Sequence, residues 1–210
     1  MELNRWHWDE VVPIHARSRF YNVDSFLSGK SSLLPVGIEA RFIHSNIYNL
    51  NEVLEEEFDI VFTSYGVLCW LPDLRSWART IADHLRPGGV FYIVEDHPLA
   101  SLIDEQNEKG ISIGYPYFST GGPLKFEGLG TYTDRSAELV HDAVFEWQHP
   151  LSEIVNAILE AGLQIEFLHE FPYGFFQRHP RMVRAVDRTW RFEDPAASFP
   201  LIFSLKARKM

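Results

Sequence analysis

The chain has 210 residues, 46% hydrophobic and 14% aromatic, enough for one domain with a sizeable buried core. Lys and Arg number 19 against 29 Asp and Glu, and the resulting net charge of −10 lacks the basic footprint that binding to a nucleic-acid backbone needs. A single cysteine, Cys69, rules out a disulfide framework. No apolar run is long enough to span a bilayer, and the opening MELNRWHWDE is unlike a signal peptide, so a cytoplasmic location is expected.

Residues 1–34 read as mostly helical, with Trp6, Trp8, Val11, Val12, Ile14, Phe20, Tyr21, Phe26 and Leu27 as burial candidates and Pro13 as a break in any long helix. His15, Arg17 and Tyr21 either face a ligand or form the polar side of an amphipathic segment. Glu52 to Glu57 carries four Glu, a solvated turn or short helix. Ile60-Val61-Phe62 is a short apolar run, as in a strand covered on both faces. Leu74, Trp77, Ala78, Ile81, Ala82 and Leu85 then step by three and four, which aligns them on one stripe of a helix. Pro72 and Asp73 suit its first turn, and Pro87-Gly88-Gly89 its end. Val90 to Val94 is a second apolar run. Phe58 to His97 is therefore expected to be a strand, a crossover helix and a parallel strand, wound right-handed.

Six of the 13 glycines fall between 110 and 130, which marks residues 98–135 as loops or a hairpin arm, serving either as a substrate lid or as a hairpin packed on the sheet. A helix is predicted at 152–161, capped by Ser152 and apolar along Ile154, Val155, Ile158 and Leu159. Gly162 ends it, and a strand follows at 163–168. Phe171, Tyr173, Phe175 and Phe176 either line a pocket or pack in the core. Arg181, Arg184, Arg188 and Arg191 step by three and four, which a helix would align on one face, solvated or turned to an anionic partner. Residues 200–207 read as a final strand.

Phe58-Asp59-Ile60-Val61 on a strand, Leu85-Arg86-Pro87-Gly88-Gly89 after a helix, and the apolar strand beyond it together resemble the class I S-adenosylmethionine-dependent methyltransferases, with a type 11-like methyltransferase domain. The resemblance runs from about Ala40 to the C-terminus. It implies an α/β fold: a Rossmann-like class I methyltransferase sheet, shortened, with helices on both faces and an antiparallel last strand. It implies a single domain over 1–210, with 1–37 as a helical lead-in lying over the cofactor and 98–150 as an inserted loop or hairpin region. It also implies that Ile38 to His44 is a strand. Intact relatives begin their sheet with a strand and a glycine-rich turn, whose bare backbone lets the cofactor approach closely. Here the only glycines before Phe58 are Gly29 and Gly37. About two strands and two helices are thus missing, as after an internal deletion. A sheet of about five strands, marginal or dimeric, is expected.

Ligands of open α/β sheets bind at the C-terminal edge of the strands. Ser64, Tyr65 and Gly66 end the first strand there, and the resemblance sets them against the methionine part of the cofactor. Trp70 either walls that pocket, its face toward a sulfonium cation, or packs in the core. Asn46 stands where relatives commonly carry an Asp that accepts from the adenine amino group. Asn keeps a carbonyl acceptor and loses the charge, and a plain turn residue is the equal alternative. Ile47 would neighbour the adenine ring. Glu95, Asp96 and His97 end the next strand at the same edge, and the family layout sets Trp147 and His149 near the cleft. His97 and His149 are the candidate bases.

The implied cofactor is S-adenosylmethionine. The implied partner is a small-molecule substrate offering an amine, hydroxyl or carboxylate, with no nucleic acid, no membrane and a homodimer as the assembly. A non-catalytic remnant, kept as a binding or assembly module, is the alternative. A metal hydrolase drawing on the nine histidines is a third reading, against which stands the lack of His-x-x-x-His or similar spacing.

Overall fold

The computed structural model describes residues 2–18, 23, 28, 41–105, 107–118, 120–127, 131, 134, 136–194 and 197–210. The expectations for Phe20, Tyr21, Phe26, Leu27 and residues 29–40 lie outside them. The chain divides into two compact units, residues 1–44 with 124–146 and residues 45–123 with 147–210.

In the first unit, α1 (Glu2–Arg17) runs through Pro13 rather than breaking there. Proline forfeits a single N–H toward the preceding turn, and only one turn of helix remains after it. The buried face is not the tryptophan face. His7, Val11 and His15, four residues apart, are buried, while Trp6 and Val12 are exposed. The reason is what the helix meets. Asn4 pairs through both amide atoms with the main chain of Phe145, each bond 2.8 Å long. His7 Nδ1 donates to the His141 carbonyl at 2.8 Å. Glu10 accepts the main-chain N–H groups of Val140 and His141. A helix docked on unpaired backbone needs polar atoms facing inward, so burial follows hydrogen-bonding capacity rather than hydrophobicity. The segment it meets leads into β4 (Val144–Glu146), which pairs antiparallel with β3 (Leu124–Phe126).

In the second unit, β1 (Phe58–Thr63) pairs parallel with β2 (Leu85–Asp96), with α2 (Leu74–Asp83) as the connection between them. β8 (Ile202–Lys209) lies antiparallel between β2 and β5 (Leu163–Phe171), giving a four-stranded sheet in the order β1-β2-β8-β5. The last strand is thus antiparallel, as the resemblance implied. Asp73 caps α2, its carboxylate accepting the Ser76 N–H at 3.0 Å. α2 ends earlier than its apolar stripe predicts. Leu85 already belongs to β2 and pairs with Phe58. A Cβ on Gly89 would stand 2.8 Å from the Arg86 carbonyl oxygen and 3.1 Å from that of Phe58, so this glycine is what lets β1 come alongside.

One face of the sheet carries Phe91, Ile93, Phe203, Leu205 and Ala207, all fully buried. Against them pack Leu74, Trp77, Ala78 and Ile81 of α2 and Ile154, Ala157 and Ile158 of α3 (Leu151–Glu160). Trp77 meets Phe91 edge-on at 5.7 Å. α3 begins after Pro150, and Ser152 lies inside its first turn instead of capping it. Among the described residues, the helices packed on this sheet lie on that one face. The other face bears an aromatic row, Phe62 stacked on Tyr92 and Tyr92 edge-on to Phe167.

Two expectations about strands and helices are corrected. Residues 41–44 carry no strand, and 38–40 lie outside the description. The chain there enters a 3-10 turn, Ile47–Glu52, so among the described residues β1 is the edge of the sheet, with Ile60 67% and Phe62 55% exposed. The four arginines at 181–191 are not on a helix. β6 (Met182–Arg184) and β7 (Trp190–Phe192) form an antiparallel pair. Between them Asp187 accepts the Thr189 N–H at 3.0 Å, and Arg188 takes φ 68, a turn that no helix contains.

Candidate active site

β1, β2 and β5 run the same way, so their C-terminal ends share one edge of the sheet. The loop leaving β1 turns at Gly66, whose φ of 69 disfavours any side chain. It is held from beneath by Glu95, which is 3% exposed. One carboxylate oxygen accepts the N–H groups of Gly66 and Asp96, the other those of Val67 and Leu68, at 2.5 to 3.1 Å. Burial pushes the Glu95 carboxyl up from its ordinary value, and the donated N–H groups oppose that rise. Farther along, the Trp147 N–H reaches the Cys69 carbonyl at 2.8 Å.

The loop leaves Ser64 and Tyr65 exposed. Tyr65 meets Phe175 edge-on at 4.7 Å, and Tyr173 adjoins Phe175, so the aromatic run after β5 stands beside the rim. Partial burial, then the neighbouring Tyr92 and Tyr173, raise the Tyr65 hydroxyl. Trp70 is half-buried just behind, at the end of a short 3-10 turn. Asn46 caps the turn at 47–52, its side-chain oxygen accepting the Tyr48 N–H at 3.1 Å, and Ile47 packs partly on the core. One acceptor position of the Asn46 amide is thus engaged within the turn.

At the end of β2, His97 is 2% exposed. Its Nδ1 accepts the Leu99 N–H at 3.1 Å, which leaves the proton of the neutral ring on Nε2. Nε2 stands 2.8 Å from Glu170 Oε1 without reaching the alignment of a hydrogen bond. Burial lowers the His97 pKa, and the Glu170 charge works against that. Asp96 pairs with Arg178 at 2.6 Å, and Arg178 also reaches Glu105 at 3.0 Å. His149 is elsewhere: Nε2 donates to the Leu71 carbonyl at 2.7 Å and Nδ1 faces Glu153 at 3.2 Å, so both nitrogens are engaged. The edge thus gathers Ser64, Tyr65, Gly66 and His97 of the sequence candidates, and adds Glu95 as an anchor and Glu170 and Arg178 as partners. Glu170 and Arg178 carried no motif. Glu95 did leave a signal, since it continues the buried alternation of Phe91 and Ile93. Among the described residues no group of three His, Cys, Asp or Glu could hold a metal ion, and no helix is long and apolar enough to cross a membrane.

A parallel strand–helix–strand unit with a glycine turn at its C-terminal edge is where comparison with known proteins becomes informative. A family model described as a methyltransferase domain matches residues 14–93, from the last turns of α1 into β2. Those residues are similar to a methyltransferase domain over less than half of the chain. A Listeria monocytogenes protein described as an S-adenosylmethionine-dependent methyltransferase shares the fold at TM-score 0.51 and 14% identity, over 79% of this chain and 67% of its own. S-adenosylmethionine-dependent methyltransferases from Mesorhizobium loti and Clostridium acetobutylicum align at TM-scores 0.47 and 0.49, with 18% and 15% identity. The first covers 74% of this chain and 63% of its own, the second 88% and 68%. The chain therefore spans about two thirds of the length of these structures. No curated protein matches it by sequence.

The similar structures are described as S-adenosylmethionine-dependent, and the described residues fit one part of that cofactor. Ser64 and Tyr65 form an exposed rim beside the half-buried Gly66, with open space where a Cβ on that glycine would stand. The Asn46 amide oxygen spends one of its two acceptor positions on its own turn.

Proposed function

We propose that this chain transfers the methyl group of S-adenosylmethionine to a small-molecule acceptor. The reading is carried by the glycine turn at the C-terminal end of the parallel β1–β2 pair, with Ser64 and Tyr65 held outward. The bound cofactor supplies a methyl group on a sulfonium centre. The chain's part is to bind and align, since such a transfer needs proximity and orientation more than strong acid–base help. Tyr65 and Phe175 offer aromatic faces to a cation at the rim. For an acceptor that must lose a proton, the proposed base is His97, whose basic nitrogen, Nδ1, must first release the Leu99 N–H, with Glu170 beside Nε2 to support the charged ring. His149 must release Leu71 or Glu153 to serve the same purpose. Asn46, Ile47 and Trp70 complete the proposed cofactor contacts.

Isothermal titration with S-adenosylmethionine and with its demethylated product tests the proposal. Binding in the micromolar range is the expected result; no heat with either ligand sinks it. A second reading, a non-catalytic binding or assembly module, is favoured by the open β1 edge with Ile60 and Phe62 exposed. It predicts self-association without cofactor binding.

A further inference from the structure

We infer that Glu95 is a positioning residue, an internal anion that shapes the cofactor rim by gripping its main chain; this rests on the methyltransferase reading above. Successive N–H groups in a turn form a concavity that takes an anion, commonly a phosphate. Here that concavity is already filled. Gly66, Val67 and Leu68 all direct their N–H groups inward to the Glu95 carboxylate. Among the described residues, every hydrogen-bond partner of this carboxylate is a main-chain N–H, the fourth being that of Asp96. A buried carboxylate is costly unless it is hydrogen-bonded on this scale, and a neutral amide of the same shape cannot accept four donors.

Two consequences follow for the ligand. The N–H groups of Gly66, Val67 and Leu68 are not available to a phosphate, and the rim offers instead the exposed Ser64 and Tyr65 side chains. Behind the rim lies a negative charge, which favours a cationic centre at the edge over an anionic one. The sulfonium of S-adenosylmethionine has the matching sign, and the thioether of its demethylated product has no charge to match.

The test is the full-length Glu95→Gln variant. Hydrogen exchange at the amides of Gly66, Val67 and Leu68 should speed up. Affinity for S-adenosylmethionine should fall about tenfold or more, as for loss of hydrogen bonds to a charged group. Affinity for the demethylated product should fall by less. Unchanged exchange at the three amides overturns the proposal, as does unchanged affinity. An equal loss for both ligands also overturns it, since general loosening produces that result. If Glu95→Gln does not fold, Glu95→Asp, which keeps the charge on a shorter stem, is measured instead: exchange at the three amides should speed up and both ligands should lose affinity alike, whereas unchanged exchange or unchanged affinity overturns the proposal. A wild-type chain that binds neither ligand removes the methyltransferase reading, while the three amides still decide whether Glu95 holds the loop.

Discussion

Glu95 and His97 stand two residues apart on β2, and burial moves both toward their neutral forms. For Glu95 this raises the pKa above the ordinary 4.5, so the folded chain holds that proton more tightly than the unfolded one. Stability from this group therefore falls as pH rises through the interval between the two values. Its grip on the loop runs the other way, because only the carboxylate accepts four N–H groups. Asp96 faces it and adds to the rise, while Arg178 partly offsets Asp96. On acidification, cofactor affinity of the wild type should weaken at a pH above the usual carboxylate range. In Glu95→Gln that dependence should flatten, which titrations at several pH values will show. For His97 the folded chain prefers the neutral ring, so its contribution is present above the ordinary 6.5 and lost as pH falls below it. Melting temperatures taken across that range should decline less in His97→Gln than in the wild type. None of this could be read from residue identity alone. The candidate bases were legible as histidines at strand and helix boundaries, but which nitrogens are engaged depends on Leu99, Glu170, Leu71 and Glu153, and only the folded chain brings those together.

At the scale of elements, the strand–helix–strand unit was legible because its pattern is local. The three-and-four stripe of α2 and the alternation of β2 both point at one core. Trp77→Ala should cost about 3–5 kcal/mol in denaturant unfolding, the usual loss for a large buried aromatic. Gly89→Ala should cost about 1–3 kcal/mol, because its Cβ meets two main-chain carbonyl oxygens, which cannot swing aside as a side chain can. The arginine series shows the opposite case. Spacing by three and four suggested a helix, but Asp187 and Thr189 close a turn and the flanking segments pair as β6 and β7. Local hydrogen bonding by an Asp side chain outweighed a periodicity made only of charged residues. α1 misled in the same manner, since its inward face was chosen by the main chain around residues 140–145.

For the chain as a whole, the open side of β1 matters most. Its edge, unpaired among the described residues, and the exposed Ile60 and Phe62 are what another strand recognises. Sedimentation should show the wild type self-associating, with Ile60→Lys shifting it toward monomer; a monomeric wild type would refute the dimer expectation. Taken alone, the sequence determined the parallel β1–β2 unit, its crossover helix and the absence of a glycine-rich turn before it, because each is set by residues adjacent along the chain. Tertiary structure decided that β8 enters between β2 and β5, that residues 41–44 form no strand, and that Glu95 reaches Gly66, Val67 and Leu68. Those outcomes depend on partners far apart in sequence, where register and the competition for unpaired N–H groups, not local preference, set the result.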